Sequence, residues 1–303
     1  MSWKKLGRIY VPSGDLDWAR AYSANPVAEP LGGDAYRIYF STRDDRNRSS
    51  VGFIEIDITD PFTVLREARA PSLSPGDLAM FDDSGTSIGC ILTINGEKHL
   101  YYMGWHLTVT VPWQNALGLA ISNDGGRTYE RYSRFPIVPL DETDPYTVSY
   151  PWVMHEGGKF RMWYGSNTAW GSEKSDMRHL IKYAESDDGI HWRRDGTVAI
   201  DFAGPHEYAI CKPCVVKDSE GYQMWFCARG DAYRIYTAKS EDGVRWQRQQ
   251  EPDLGVSAEG WDSEMVEYPF VFDHGTDRYM LYAGNTFGKT GFGLAVQEGA
   301  MSR

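Results

Sequence analysis

The chain has 303 residues, 42% apolar and 14% aromatic, with 31 Lys and Arg against 42 Asp and Glu for a net charge of −11. An acidic chain without a run of cations argues against a nucleic-acid partner, and no stretch reaches the roughly 18 apolar residues of a membrane helix. The opening "MSWKKLGRIYVPSG" has no apolar signal core, so a cytoplasmic location is expected.

In chain order, "WKKLGRIYV" (3–11) reads as a strand that belongs to no unit following it. A proline-led strand then recurs as "ANPVAEPL", "SYPWVMHE", "CKPCVVKD" and "EYPFVFDH", with Gly89 of "SIGCILTI" in the proline's place. The anchors Pro26, Gly89, Pro151, Pro213 and Pro269 recur at intervals of 56 to 63 residues. Each leads through a Gly-containing turn to an aromatic strand ("YRIYFS", "LYYMG", "RMWYGS", "QMWFCA", "YMLYAG"), then to a third ("VGFIEIDI", "LGLAIS", "IKYAES", "RIYTAKS", "GFGLAV"). Three units close with "SNDGGRTY", "SDDGIHW" and "SEDGVRW". Asp-Gly supplies the positive φ of a tight hairpin, so these Asp-box aspartates are structural, and their aromatic residue is expected to pack on the outer strand.

Short strands at a fixed spacing, without a helical apolar period, predict an all-β fold. It is read as one five-bladed β-propeller over 1–303, with four-stranded antiparallel blades at roughly 14–75, 76–140, 141–203, 204–255 and 256–303 plus 3–12. The N-terminal strand closes the last blade and covers its open edge. Cys214 aligns with Cys90, Trp152, Phe270 and Val27, an apolar slot, so "CKPC" (Cys211, Cys214) is read as packing rather than redox or zinc chemistry.

The first strands of all blades enter at one mouth, and the antiparallel second strands exit there. The entrances bring Arg20, Tyr22, Asn25, Asp82, Asp83, Ser87, Thr147, Tyr150, Glu207, Tyr208, Lys212, Asp262, Glu264, Glu267 and Tyr268. The exits bring Arg43, Asp44, Trp105, His106, Asn167, Trp170, Arg229, Asp231 and Asn285. Equivalent positions differ in chemistry while the strands stay alike, as expected of a site grafted on a repeated scaffold.

The proline-led strands, "G-K-F-R-M-W-Y-G-S" and the "S-x-D-G-x-x-W" hairpins resemble the five-bladed glycoside hydrolases and phosphorylases, the broad group of families 32, 43, 62, 68, 117 and 130. The resemblance covers nearly the whole chain. It implies a general acid at "E-Y-P", hence Glu267, which is similar to the E-G-P entrance of family 43. The family 43 base would sit where "A-N-P" carries Asn25, and Tyr150 and Lys212 occupy the place of its modulating aspartate. "A-N-P" is closer to the R-N-P entrance of family 130, with Asp82 and Asp83 where that family keeps an acid.

The expected function is cleavage or transfer of a glycosidic bond in the funnel, with Glu267 as acid and Asp83 or Glu207 as its partner. Crowding of Glu267 by Asp262 and Glu264 is expected to hold one carboxyl protonated. Arg20, Arg43, Lys212 and Arg229 would bind an anionic group, while Trp105, Trp170 and Tyr150 stack on sugar faces. Asn25, Asp82, His106, Asn167, Asp262, Glu264 and Tyr268 complete the candidate binding set. The alternatives are a phosphorylase or transferase acting on a phosphorylated or anionic sugar, and a non-catalytic glycan-binding propeller. The partner is a sugar, an oligosaccharide or a sugar phosphate. No cofactor is expected; a channel cation such as calcium is the one alternative kept, without named ligands.

Overall fold

The computed structural model describes residues 2–171 and 176–300. After β1 (Lys4–Tyr10), the first antiparallel meander runs through β2 (Ala21–Gly32), β3 (Ala35–Arg43), β4 (Ser49–Asp57) and β5 (Asp60–Glu67). The second comprises β6 (Gly85–Ile94), β7 (Glu97–Leu107), β8 (Trp113–Ser122) and β9 (Glu130–Arg131). The third comprises β10 (Val148–Glu156), β11 (Lys159–Ala169), β12 (Arg178–Ser186) and β13 (Val198–Ile200). The fourth comprises β14 (Ala209–Asp218), β15 (Gly221–Arg229), β16 (Tyr233–Ser240) and β17 (Gln247–Arg248). The last has β18 (Glu267–His274), β19 (Asp277–Ala283), one helical turn α1 (Asn285–Gly288) and β20 (Phe292–Gln297). The chain is all-β, with the layout of a β-propeller.

β1 supplies the missing strand. It pairs antiparallel with β20, from Lys4 opposite Val296 to Tyr10 opposite Phe292, so the first and last segments of the chain share one sheet. The closing strand is pinned by Trp3, whose Nε1 donates to Asp253 at 2.7 Å, and by Tyr10, whose hydroxyl bonds Glu67 of the first meander.

The Asp-boxes hold their turns as expected: Asp124 accepts from Ser122, Arg127 and Thr128, and Asp188 and Asp242 accept equivalent bonds. Their aromatics do not pack on the outer strand of their own meander. Tyr129 lies 6.1 Å from Tyr39, Trp192 6.3 Å from Tyr101, and Trp246 6.1 Å from Trp163, each on the second strand of the preceding meander. The same three second-strand residues donate to the box glycine carbonyls: Tyr39 to Gly126, Tyr101 to Gly189 and Trp163 to Gly243. The hairpin therefore fastens neighbouring meanders together, because a turn projecting past its sheet edge reaches the next sheet before it can fold back.

Candidate active site at the propeller axis

Every first strand carries a one-residue bulge at its anchor, between Ala24 and Val27, Ile88 and Cys90, Ser149 and Trp152, Cys211 and Cys214, and Glu267 and Phe270. Proline has no N–H to give to a ladder, so an interrupted rung is where a strand accepts it. The residue before each proline takes a left-handed conformation: Asn25 at φ 54°, Tyr150 at 43°, Lys212 at 55° and Tyr268 at 56°. Such bulges re-aim side chains, and strained backbone of this kind concentrates at functional sites.

The re-aimed side chains meet across the axis. Lys212 of the fourth meander is fully buried and donates from Nζ to the Gly89 carbonyl of the second at 2.6 Å. Tyr150 of the third lies with its ring 5.5 Å from that of Tyr268 of the last. These pairs are not neighbours in the sheet order, so the contacts can form only at the centre. Trp152 contacts the apolar clusters of several meanders and sits 5.6 Å from Phe270. The axis is thus filled by side chains.

Glu267 opens β18 at this point. It is fully buried, and among the described residues neither carboxylate oxygen has a side-chain or backbone partner of ordinary hydrogen-bond geometry. Burial pushes its pKa well above the usual carboxylate range and neighbouring Cys227 adds to the rise, while Arg229 and the Phe287 amide offset part of it. Burial therefore favours the protonated form of Glu267. Tyr268 and Tyr233 are pushed up around it, again chiefly by burial. The roof is α1, where Thr286 and Phe287 are both left-handed, at φ 56° and 59°.

The expected like-charge crowding is absent. Asp262 accepts from Lys5 at 2.7 Å and Tyr282 at 3.0 Å, and Glu264 is exposed. Desolvation, rather than neighbouring acids, keeps the proton on Glu267. Asp262 belongs to a repeated clamp in which a buried Asp accepts from a second-strand Tyr 20 residues later, as Asp82 does from Tyr102 and Asp144 from Tyr164. A cation completes each clamp: Arg131 for Asp82, Lys182 and Arg194 for Asp144, and Lys5 for Asp262. Glu207 is likewise bound, bidentately, by Arg248 at 2.6 Å on both oxygens.

Other candidates are also placed differently from the sequence reading. Asp83 accepts from the Ala79 amide and the Ser84 hydroxyl within its own loop. Arg20 is occupied by Gly14, Asp17 and Asp45, and Lys212 lies beneath the mouth rather than lining it. Arg20, Asp83, Glu207 and Asp262 each turn toward a partner on a loop or strand of their own meander rather than toward the axis.

The structure does bring several candidates to the rim. The Arg43 guanidinium lies 5.4 Å from the Tyr22 ring and 5.3 Å from the Trp105 ring, and donates to Asn47. Trp105 is buried, its Nε1 donating to Ser49, and His106 beside it is half-buried. Trp170 stands edge-on to Trp113 at 5.2 Å. Asn25 and Asn167 are buried with Oδ1 and Nδ2, respectively, unpaired among the described residues. Arg229 lies among Tyr208, Tyr233 and Phe287. Cys227, Tyr233 and Phe287 escape the sequence reading; the left-handed "NTF" turn leaves no sequence signal of the usual Asn-Gly kind. Cys211 faces Cys227 across β14 and β15 with the sulfurs 3.5 Å apart, while Cys214 lies against Val271. Among the described residues no group of three or more His, Cys, Asp or Glu is arranged to hold a metal ion.

No family model matches the chain. Two proteins of Mycobacterium tuberculosis, the uncharacterized proteins MT1551 and Rv1502, are each 52% identical over 299 residues, 98% of this chain and 100% of theirs. Among solved structures, a complex of BT0996 with RGII superposes with a TM-score of 0.74 at 18% identity, covering 96% of this chain and 90% of that one. A structure from work on GH130 mannoside phosphorylases and β-1,2-mannoside hydrolases gives 0.71 at 14% identity, covering 98% and 94%. A thermostable family-43 glycoside hydrolase gives 0.68 at 14%, covering 92% and 88%. At such identities these likenesses show the fold, and the mycobacterial ones show kinship. The chain belongs to the family of MT1551 and Rv1502, built on the β-propeller fold that glycoside hydrolases and phosphorylases share.

Proposed function

We propose that this protein is a five-bladed propeller enzyme that breaks or transfers a glycosidic bond at the axial mouth, with Glu267 as the proton donor. The observation that carries the reading is the carboxyl of Glu267 on the axis, fully buried, without a side-chain partner among the described residues, and with its pKa pushed up by burial. A glycosidic oxygen leaves readily only when protonated, and a carboxyl kept neutral near pH 7 supplies that proton. The fold's glycoside-active neighbours support the same class. The partly exposed rings of Tyr22 and Trp170 offer apolar surface to sugar rings. No cofactor is called for, and a cytoplasmic location rests on the sequence alone.

A second reading, transfer to an acceptor that brings its own nucleophile, is favoured by one feature. The carboxylates put forward as partners are engaged elsewhere, Glu207 by Arg248 and Asp83 by its loop. Turnover on a glycan and sugar-phosphate screen, with and without phosphate, separates hydrolysis from transfer. On any substrate found, Glu267→Gln should lower turnover roughly 10²–10⁴-fold, with part recovered when the leaving group is very acidic. Undiminished turnover in Glu267→Gln would sink the assignment.

A further inference from the structure

The guanidinium of Arg229 is a mouth cation that neither an ion pair nor a hydrogen bond engages among the described residues. Arg20 is held by Asp17 and Asp45, Arg248 by Glu207, Arg131 by Asp82, and Arg43 by Asn47. Among the described residues Arg229 makes no ion pair or side-chain hydrogen bond, and its Nε is buried without a partner. The rings of Tyr208, Tyr233 and Phe287 surround it, 5.7, 5.5 and 5.8 Å from the guanidinium carbon. Those rings favour a cation but accept none of its ordinary hydrogen bonds. Glu267, close enough to feel its field, does not pair with it.

A guanidinium set among aromatic rings with its buried Nε open is completed by an anion that accepts from it. The chemistry of that anion follows from the charge available. Lys212 is committed to Gly89 below the mouth, and His179 is buried and pushed down to about 4, hence neutral. Arg43 is held on the opposite side by Asn47, and Arg234 donates to the carbonyls of Tyr233 and Glu264. A planar fork of donors that no side chain engages among the described residues matches the flat edge of a carboxylate. We propose that Arg229 binds the carboxylate of an acidic sugar, holding that sugar beside Glu267. The inference rests on the glycan reading of this mouth and names its substrate class.

The test is a calorimetric titration of the full chain at low salt with galacturonate and glucuronate, using galactose, glucose and inorganic phosphate as comparators. The uronates should bind roughly 10- to 100-fold more tightly than their neutral counterparts, the worth of a charge-assisted bond. Arg229→Gln should abolish that preference, and Arg229→Lys should keep only part of it, since the charge remains and the fork is lost. Uronates binding no better than neutral sugars, a preference for phosphate, or a preference that survives Arg229→Gln would each overturn the proposal. The titration is independent of turnover. Full activity in Glu267→Gln therefore defeats the proton donor alone, and a failed titration beside an inactive Glu267→Gln defeats only the carboxylate subsite.

Discussion

Replacing Asp262 with Ala removes one of the three carboxylates crowded ahead of β18, and the outcome separates framework from site. The side chain is buried, accepting from the Tyr282 hydroxyl at 3.0 Å and from Lys5 at 2.7 Å. Breaking a fully buried ion pair costs about 3–5 kcal/mol because the abandoned partner stays charged. Lys5 retains 22% exposure and a bond to Ser257, so water recovers part of that, and we expect about 2–4 kcal/mol. The unfolding entropy of a chain this long is about 0.6 kcal/mol/K, which converts the loss to a fall in Tm of roughly 3–6 °C. Asp262→Asn keeps an acceptor for Tyr282 and should lie between. Thermal unfolding gives the first reading, and uronate titration at a temperature where the variant is folded gives the second. An unchanged Tm with lost binding would refute the clamp and return Asp262 to the site.

Two further outcomes follow from the same geometry. Deleting residues 1–11 exposes the edge of β20 and also removes the Lys5 and Trp3 contacts; the truncated chain should lose more than Asp262→Ala does and tend to aggregate, and an unchanged melting curve would contradict the closure. Glu267→Gln should stabilise the fold above the pKa of an unfolded glutamate. The folded state holds a proton that the unfolded state releases, so native stability falls as pH rises from that value toward the raised folded one. The Gln variant lacks this slope, so its advantage should grow over that window; parallel Tm–pH curves would argue against a raised pKa.

The repeat was legible because its signals are local: anchors, Asp-Gly turns and alternating aromatic strands need only near neighbours. The pairing of β1 with β20 was legible by counting strands. The site was harder to read because entrance residues can turn either to the axis or back onto their own sheet. Asp262 and Glu267 lie five positions apart, yet Lys5 and Tyr282 hold one within the last sheet while a bulge aims the other at the centre. The clamp did leave a trace, since Asp82, Asp144 and Asp262 each precede a Tyr by 20 residues. Glu207 left none, because Arg248 sits 41 positions away in a different strand. The turn through Thr286 and Phe287 places two non-glycine residues at left-handed positions before Gly288, so turn chemistry did not point to the roof over Glu267.

The account turns on the protonation state of one side chain, and that can be observed before any substrate is known. Infrared difference spectroscopy of the wild-type protein against Glu267→Gln isolates the carbonyl stretch of this carboxyl. At pH 7 the difference should show the band of a protonated carboxylic acid and no carboxylate loss, because burial holds the proton on Glu267. A carboxylate band at pH 7 would mean that Glu267 is ionised, and the proton donor of the proposed reaction would have to be found elsewhere.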